Sequence, residues 1–449
     1  MFRSVRDFPF GLAALSLLAL SLVTGAYIAT RPSQKSRATL TMWTFAKEHY
    51  NAYKEAIPKF EREHPGVTVD LQLVSYNATT QRLRSAFWAD LDVPDLVEVE
   101  ISAAGSFFRG SQENIGFLDL TDRIKAENLD QRMVAARFAP YTSRGRIFGL
   151  PHDVHPVQIA YRRDLLEKEG VDVSQIETWD DFVAVGQKLT RRQGQNARYL
   201  IELSDTSRDN LEVFLFQRGG GYFDEQGRCI MDSEESVQAM LQYVPLVAGP
   251  KRIGNNLGGG QILTRAVEDG YLLCLLAPDW RTKIFQSDIS KMEGKMALMP
   301  LPAIEPGGRR TSTWGGTMIG VTKKSQNPEL AWKLAKYLYL NEKDLAERFV
   351  GTNIIPPVRA VWNLPAFNRP NPYFSNQPLG RTYADLADQV PPQYGSPFVQ
   401  IAKDKLGQAL VACVQRYNAQ GDKGFEPFVR ARLKRSADEV RKVMARNPY

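Results

Sequence analysis

GRIFGLPHDVHPVQIAYRRDLLEKEGV (residues 145–171), with ETWDDF (177–182) close behind it, is the stretch on which the reading of this chain turns. It holds four separate elements in order. These are a Gly-Leu-Pro turn ending at Pro151, an extended apolar run at 157–161, Asp164 with Leu165, and Thr178-Trp179-Asp180 at a helix start. Several elements in one order carry far more information than any single short motif. Thr178 with Asp181 three residues later predicts a capping box, and Phe182, Val185, Gly186 and Leu189 continue one helical face.

Outward from that stretch the apolar pattern alternates between strand and helix. Residues 39–43 read as a strand, and Tyr50, Tyr53, Ile57 and Phe60 follow on one face of a helix. Pro58 lies inside that pattern and is expected to bend the helix or end its regular hydrogen bonding. Val67, Val69, Leu71 and Leu73 alternate as a second strand, a helix follows near 79–89, and DLVEVE at 95–100 supplies a third strand. Later, TMIGVTKK begins a strand at Thr317, and Asn327-Pro328 starts a helix whose buried face is Ala331, Leu334, Ala335 and Leu338. Residues 365–397 read as a Pro-rich loop region. Repeated alternation of this kind implies an α/β protein.

The chain resembles the extracellular solute-binding proteins of family 1, the maltose-binding-protein-like sugar receptors of ABC importers. Beyond the opening stretch, the likeness runs through KFEREHPGVTV (59–69), VPDLVEVE (93–100), GRCIMDSEES (227–236), LLAPDW (275–280), LMPLP (298–302), STWGGTMIGVTKKSQNPELAWKLAKYL (312–338) and the segment 351–356. It implies an α/β, two-lobed periplasmic-binding-protein fold of type II. Each lobe would be a mostly parallel sheet flanked by helices, and a multi-crossing hinge would join the lobes. Residues 38–153 with 317–357 would form the first lobe, and residues 154–316 with 358–449 the second. The implied function is capture of a carbohydrate in an interlobe cleft and delivery to the permease of an ABC transporter, by a protein that is a monomer and not an enzyme.

Size and charge agree with that reading. A chain of 449 residues is too long for one ordinary core and suits two lobes of roughly 200 residues. The net charge of +7 would suit nucleic acid, but residues 1–37 carry +4, residues 421–449 carry +4, and the rest carries −1 with no basic stripe. Nucleic-acid binding is not expected. Arg3 and Arg6 precede an apolar run at 8–29, so residues 1–30 read as a signal peptide or signal anchor and 31–37 as a linker. No cysteine precedes Cys229, which departs from the lipid-attached members of the resembled family. The place expected is the periplasm or cell surface, with the amino-terminal segment able to tie the chain to the membrane. Cys229, Cys274 and Cys413 have no CxxC spacing and no nearby His.

Sugars present apolar C–H faces and an equator of hydroxyls, so their sites need aromatic rings and planar polar groups. Trp43, Trp280 and Trp314 sit beside Gly, Pro or strand ends, in regions that line the cleft in the resembled family. Asp153 and its neighbour His152 stand at the lobe crossing, and Asp279 precedes Trp280. Glu100 ends the third strand, where open α/β sheets hold their ligands. Gly220 and Gly221, and Gly315 with Gly316, would let backbone amides approach a ligand. Arg359 would clamp a hydroxyl pair or pair with a carboxylate. His152 and His155 have the spacing of a metal pair, but no third ligand is in view, and neither a metal nor a cofactor is expected. The sequence holds no nucleophile elbow, no phosphate-binding loop and no dinucleotide fingerprint. The alternatives are a receptor for glycerol phosphates, polyamines or peptides, and a secreted glycoside hydrolase.

Overall fold

Two five-stranded sheets carry the architecture seen in the computed structural model, which describes residues 11–30, 38–194 and 197–447, with side chains of the first helix described over 14–26. In chain order the strands are β1 (Leu40–Thr44), β2 (Val69–Leu73), β3 (Leu96–Glu100), β4 (Leu150–Pro151), β5 (Val157–Arg162), β6 (Tyr199–Glu202), β7 (Gly254–Asn255), β8 (Leu272–Pro278), β9 (Met296–Pro300) and β10 (Thr317–Val321). The first sheet runs β2-β1-β3-β10-β4 and the second β9-β5-β8-β6-β7. Helices pack around both, giving the two-lobed α/β architecture expected from the sequence.

The sheets are mixed rather than mostly parallel. β1 pairs in parallel with β2 and β3, but β10 is antiparallel to both β3 and β4. In the second sheet β6 is parallel to β8 and β7, whereas β5 is antiparallel to β8 and β9. The physical reason is the crossing itself. β10 returns from the other lobe and β5 leaves for it, so neither arrives through the crossover helix that imposes parallel pairing. The register sets Thr317 opposite Glu100, which brings the returning strand to the cleft end of β3.

Local sequence explains the surrounding helices. Helix Lys47–Glu63 buries Tyr53, Ile57 and Phe60 as its spacing predicts, but Pro58 does not end it. Helix Trp179–Leu189 begins on the predicted capping box of Thr178 and Asp181. β8 is buried at every residue, as its unbroken LLCLLAP pattern requires of a strand covered on both faces. Cys274 lies within it, and Cys229 and Cys413 are likewise buried and unpaired. The region 365–397 holds regular elements that its prolines hide: two 3-10 turns, Pro365–Asn368 and Pro372–Phe374, and helix Leu379–Ala387, which buries Leu379, Tyr383 and Leu386.

Three chain crossings lie side by side. Val154 N–H donates to Ile355 O at 3.0 Å, His152 N–H to Thr317 O at 2.9 Å, and Pro156 bridges to Thr313. The following segment packs on both lobes. Phe367 stacks on Phe349 at 4.2 Å between ring centroids, while Tyr383 donates to Ala277 O at 2.8 Å. The last two long helices, Val399–Gln420 and Phe425–Arg446, cover the core of the second lobe.

Helix Gly11–Thr30 covers the apolar run near the start, and among the described residues no helix is long and apolar enough to cross a membrane. Arg3, Arg6 and the linker 31–37 lie outside the described residues.

Candidate functional site in the interlobe cleft

A cavity of about 740 Å³ lies where the two sheets face each other. Its first-lobe wall is the carboxyl end of β1 running into Phe45–His49, and the end of β3 running through Glu100 into Ser102. The second-lobe wall is Asp209, Glu212 and Phe216 on helix Arg208–Gln217, the glycine turn 219–221, and Trp280 on helix Asp279–Asp288. Gly315, Gly316 and His155 form the floor at the crossings.

Trp280 and Trp314 are the aromatic centre of this wall. Their rings meet edge to face at 5.9 Å and 80°, and Trp280 Nε1 donates to Trp314 O at 2.9 Å. The Arg281 guanidinium lies 5.2 Å from the Trp314 ring centre, fixing that ring from behind. Gly315 has φ +100°, and a Cβ there would come within 3.3 Å of Trp280 Nε1 and His155, so the turn that seats the ring pair needs glycine. At Gly316 a Cβ would collide with Arg137 and Tyr141.

The polar wall is mainly acidic. Glu100 caps the short helix after β3 by accepting from Ser102 N–H at 2.7 Å, and desolvation by burial raises its carboxyl above the usual range despite nearby Lys403. Lys403 donates to Ser102 Oγ at 2.8 Å. Tyr222 donates to Glu212 at 2.6 Å, and Arg208 lies 3.0 Å from the same carboxylate. Arg309 points its guanidinium at Phe216 O and Gln217 O, and burial lowers it below its usual value.

Residues 46–344 match the family of bacterial extracellular solute-binding proteins. This chain belongs to that family. It is 29% identical over 405 residues to an arabinooligosaccharide-binding protein of Bacillus subtilis, covering 88% of this chain and 92% of that one. It is 28% identical over 361 residues to an arabinooligosaccharide-binding protein of Halalkalibacterium halodurans, covering 78% of this chain and 79% of that one. Among solved structures, a sugar-binding protein of Xanthomonas citri superposes with a TM-score of 0.74 at 19% identity, covering 90% of this chain and 99% of that one.

Within this solute-binding protein the expected site residues divide. Glu100, Gly220, Gly221, Trp280, Trp314, Gly315 and Gly316 line the cleft. Five others lie off its wall. Trp43 sits on β1 with Nε1 donating to Gln72 at 3.1 Å, because strand alternation turns it to the sheet face packed against the cluster of Leu83, Val97 and Val99. Arg359 is held by Asp388 at 2.8 Å and by Gln131 O and Met133 O, which places it on the outer face of the crossings. Asp153 and Asp279 are fully buried, and His152 nearly so.

Asp153 and Asp279 belong instead to a polar strap through the hinge. His155 lies between them, Nε2 at 3.1 Å from Asp153 and Nδ1 at 2.6 Å from Asp279. Burial alone would push this imidazole down, but the two carboxylates outweigh it and hold it up to about 9. Burial would likewise raise Asp153, and His155 with its other partners brings it well below the usual carboxylate range. Arg137 closes the strap, donating to Asp153 O at 3.0 Å, Asp153 Oδ1 at 3.2 Å, Thr313 Oγ1 at 3.0 Å and Gly315 O at 2.9 Å. Asp279 Oδ2 accepts from Ile355 N–H at 2.7 Å, so one charge network ties all three crossings together. His152 Nδ1 and His155 Nε2 both meet Asp153 Oδ2, at 3.2 and 3.1 Å.

Several cleft residues went unnoticed in the sequence. Phe45 directly follows the end of β1 and His49 lies in the first turn of the helix after it, so the rule that pointed to Glu100 applies to this segment too. Tyr394 lies in the Pro-rich loop, and Lys403 arrives from a helix 300 residues from β3; neither had a local signal.

Proposed function

We propose that this solute-binding protein is the extracytoplasmic receptor of an ABC importer for a neutral oligosaccharide, exported to the periplasm or cell surface by its amino-terminal segment, which acts as a signal peptide or a signal anchor. The observation that carries the reading is the Trp280–Trp314 pair set in a cleft of about 740 Å³ whose two walls carry the carboxylates Glu48, Glu100, Asp209 and Glu212. The volume falls within the roughly 300–1,000 Å³ of small-molecule sites. Aromatic faces suit the C–H surfaces of sugar rings, and Glu48, Glu100, Asp209 and Glu212 suit their hydroxyls as acceptors. Of the cations that line the cleft, Arg309 and Lys403 already donate to protein oxygens and Lys283 stands apart from them on the helix of Trp280, so an anionic solute finds no cluster of free positive charge. The names of the arabinooligosaccharide-binding relatives support the same class of ligand.

Walls from both lobes give the mechanism its logic. A ligand seated on the Trp pair stabilises closure to the extent that Glu100 and Phe45 add contacts missing when the lobes are apart. The closed form then docks on the permease. Catalysis is not part of this reading.

The test is a panel of arabino-, galacto- and malto-oligosaccharides screened by thermal shift and then calorimetry. A ligand present at 100 times its dissociation constant adds about 2.7 kcal/mol of stability. The expected result is tight binding of at least one oligosaccharide, recovered intact after long incubation. Release of shorter sugars would favour the hydrolase alternative, and binding confined to anionic or peptide controls would sink the carbohydrate reading.

A further inference from the structure

Behind the cleft wall, inside the first lobe, lies a second cluster that the sugar reading does not use. His49, Glu98 and His152 are 4%, 0% and 1% exposed, and each offers a ligand atom within 4.8 Å of the other two. They arrive from three elements: the first turn of helix Lys47–Glu63, the middle of β3, and the crossing after β4. His49 Nδ1 lies 3.1 Å from Glu98 Oε2, and the two imidazole rings face each other at 4.0 Å between centroids.

His152 provides the observation that points to a ligand. Its Nδ1 lies 3.2 Å from Asp153 Oδ2, so that nitrogen carries the proton and donates it to the carboxylate. The deprotonated Nε2 is buried and has no hydrogen-bond partner. A buried acceptor left unsatisfied in this way costs about 1–3 kcal/mol. The carboxylate–imidazole arrangement is also the one that orients a metal-ligating histidine and raises its basicity.

We propose that His49, Glu98 and His152 form a binding site for a zinc-class divalent transition metal. Two imidazoles and one carboxylate are a borderline-soft donor set suited to zinc rather than to calcium or magnesium. Bond lengths of about 2.0–2.2 Å put tetrahedral ligand atoms roughly 3.4 Å apart, so the cluster closes by up to about 1.4 Å on binding. Tyr53 and Tyr339 donate to Glu98 Oε1 and Thr44 to Oε2, supports that fix the carboxylate from the side. Ligation takes both imidazoles neutral and the carboxylate ionised, so a metal on His49 Nδ1 moves that nitrogen's proton to Nε2, and any further proton on the ring leaves to solvent as the ion enters. His49 also lines the cleft, which gives the ion its way in and makes a metal-fixed imidazole part of the sugar-binding wall.

The composition makes the test clean, because the chain has four histidines and its three cysteines are buried. Full-length untagged protein, stripped with chelator, is dialysed against micromolar zinc or cobalt(II). The expected result is one equivalent of metal per chain, a cobalt ligand-field band, and perturbed imidazole NMR signals for His49 and His152 but not for His64 and His155. His152→Phe, which fills the same space, is expected to weaken zinc binding by more than about a hundredfold. Glu98→Gln provides a second variant, with His64→Ala as control. Wild-type protein that keeps no stoichiometric metal overturns the proposal whatever the variants do. Metal retained by His152→Phe and lost by His64→Ala overturns it as surface binding. Sugar affinity of the stripped protein is measured separately, so failure of the metal site and failure of the cleft reading are distinguishable.

Discussion

The second-lobe wall of the cleft and the strap through the hinge are built from the same kinds of residue, conspicuous in sequence, yet they differ in what their polar atoms do. On the cleft wall, Trp280 and Trp314 remain partly exposed and turn ring surface toward empty volume. In the strap, Asp153, Asp279, His155 and Arg137 are buried and spend their hydrogen-bonding capacity on one another and on crossing backbone. An aspartate at a lobe crossing is therefore no evidence of ligand contact. The distinction is whether its acceptors are already satisfied.

The largest effect expected from this contrast is on stability. Asp153→Ala leaves Arg137 and His155 as buried cations without their shared partner, and breaking such a pair costs about 3–5 kcal/mol. Chemical denaturation checks this, together with calorimetry of the folded fraction. Binding of the best panel sugar is expected to stay near wild type. A large loss of affinity in protein of normal stability would move Asp153 back into the cleft.

Next is the pH dependence of the strap. His155 is held up to about 9 in the folded protein, against about 6.5 in an unfolded chain. Its contribution is therefore fully present below about pH 6.5 and is lost as pH rises through about 9. The magnitude is on the order of a few kcal/mol. Melting temperature is expected to fall between pH 7 and pH 10, and His155→Gln is expected to flatten that slope. Equal slopes in both proteins would show that His155 does not carry its proton in the strap.

How far the sequence revealed these two regions follows from the range of the forces involved. The strands at 40–44, 96–100 and 317–321 and the capping box at Thr178 were legible because periodicity and caps are local. So was the Trp-Gly-Gly corner at 314–316, where one turn holds the whole feature. Mixed pairing was not legible, since strand direction depends on which lobe the chain has just left. The strap was hidden for the same reason. Asp153 and His155 are two residues apart, but Asp279 and Arg137 reach them from distant segments, and no local pattern announces that union. Trp43 shows the opposite failure, a strand-end aromatic whose side is fixed by the pairing of β1 with β2 and β3.

A smaller effect is expected on the cleft wall, and in affinity rather than stability. Trp280→Ala removes one face of the ring pair, which costs about 1–3 kcal/mol of binding, roughly tenfold to a hundredfold in dissociation constant. Calorimetry with the best panel sugar measures it, beside the melting temperature without ligand. A variant that melts much earlier yet binds normally when folded would assign Trp280 to the core instead.

The smallest effect belongs to Arg359, and it probes the outer margin of the strap. Its ion pair with Asp388 is solvent-exposed, with the two side chains 39% and 57% accessible, and pairs of that kind contribute about 0.2–1 kcal/mol. Its hydrogen bonds to Gln131 O and Met133 O add about 1 kcal/mol more, since those carbonyls regain water when the side chain is cut back. Arg359→Ala is therefore expected to lower stability by about 1–2 kcal/mol, less than Asp153→Ala does, and to do so less in high salt. Sugar affinity is expected to stay unchanged, because the guanidinium faces away from the cleft. If affinity falls while stability holds, the segment after the third crossing is coupled to the binding wall. The division between a strap that holds the lobes and a wall that holds the ligand would then have to be redrawn with residues 358–390 on the side of the ligand.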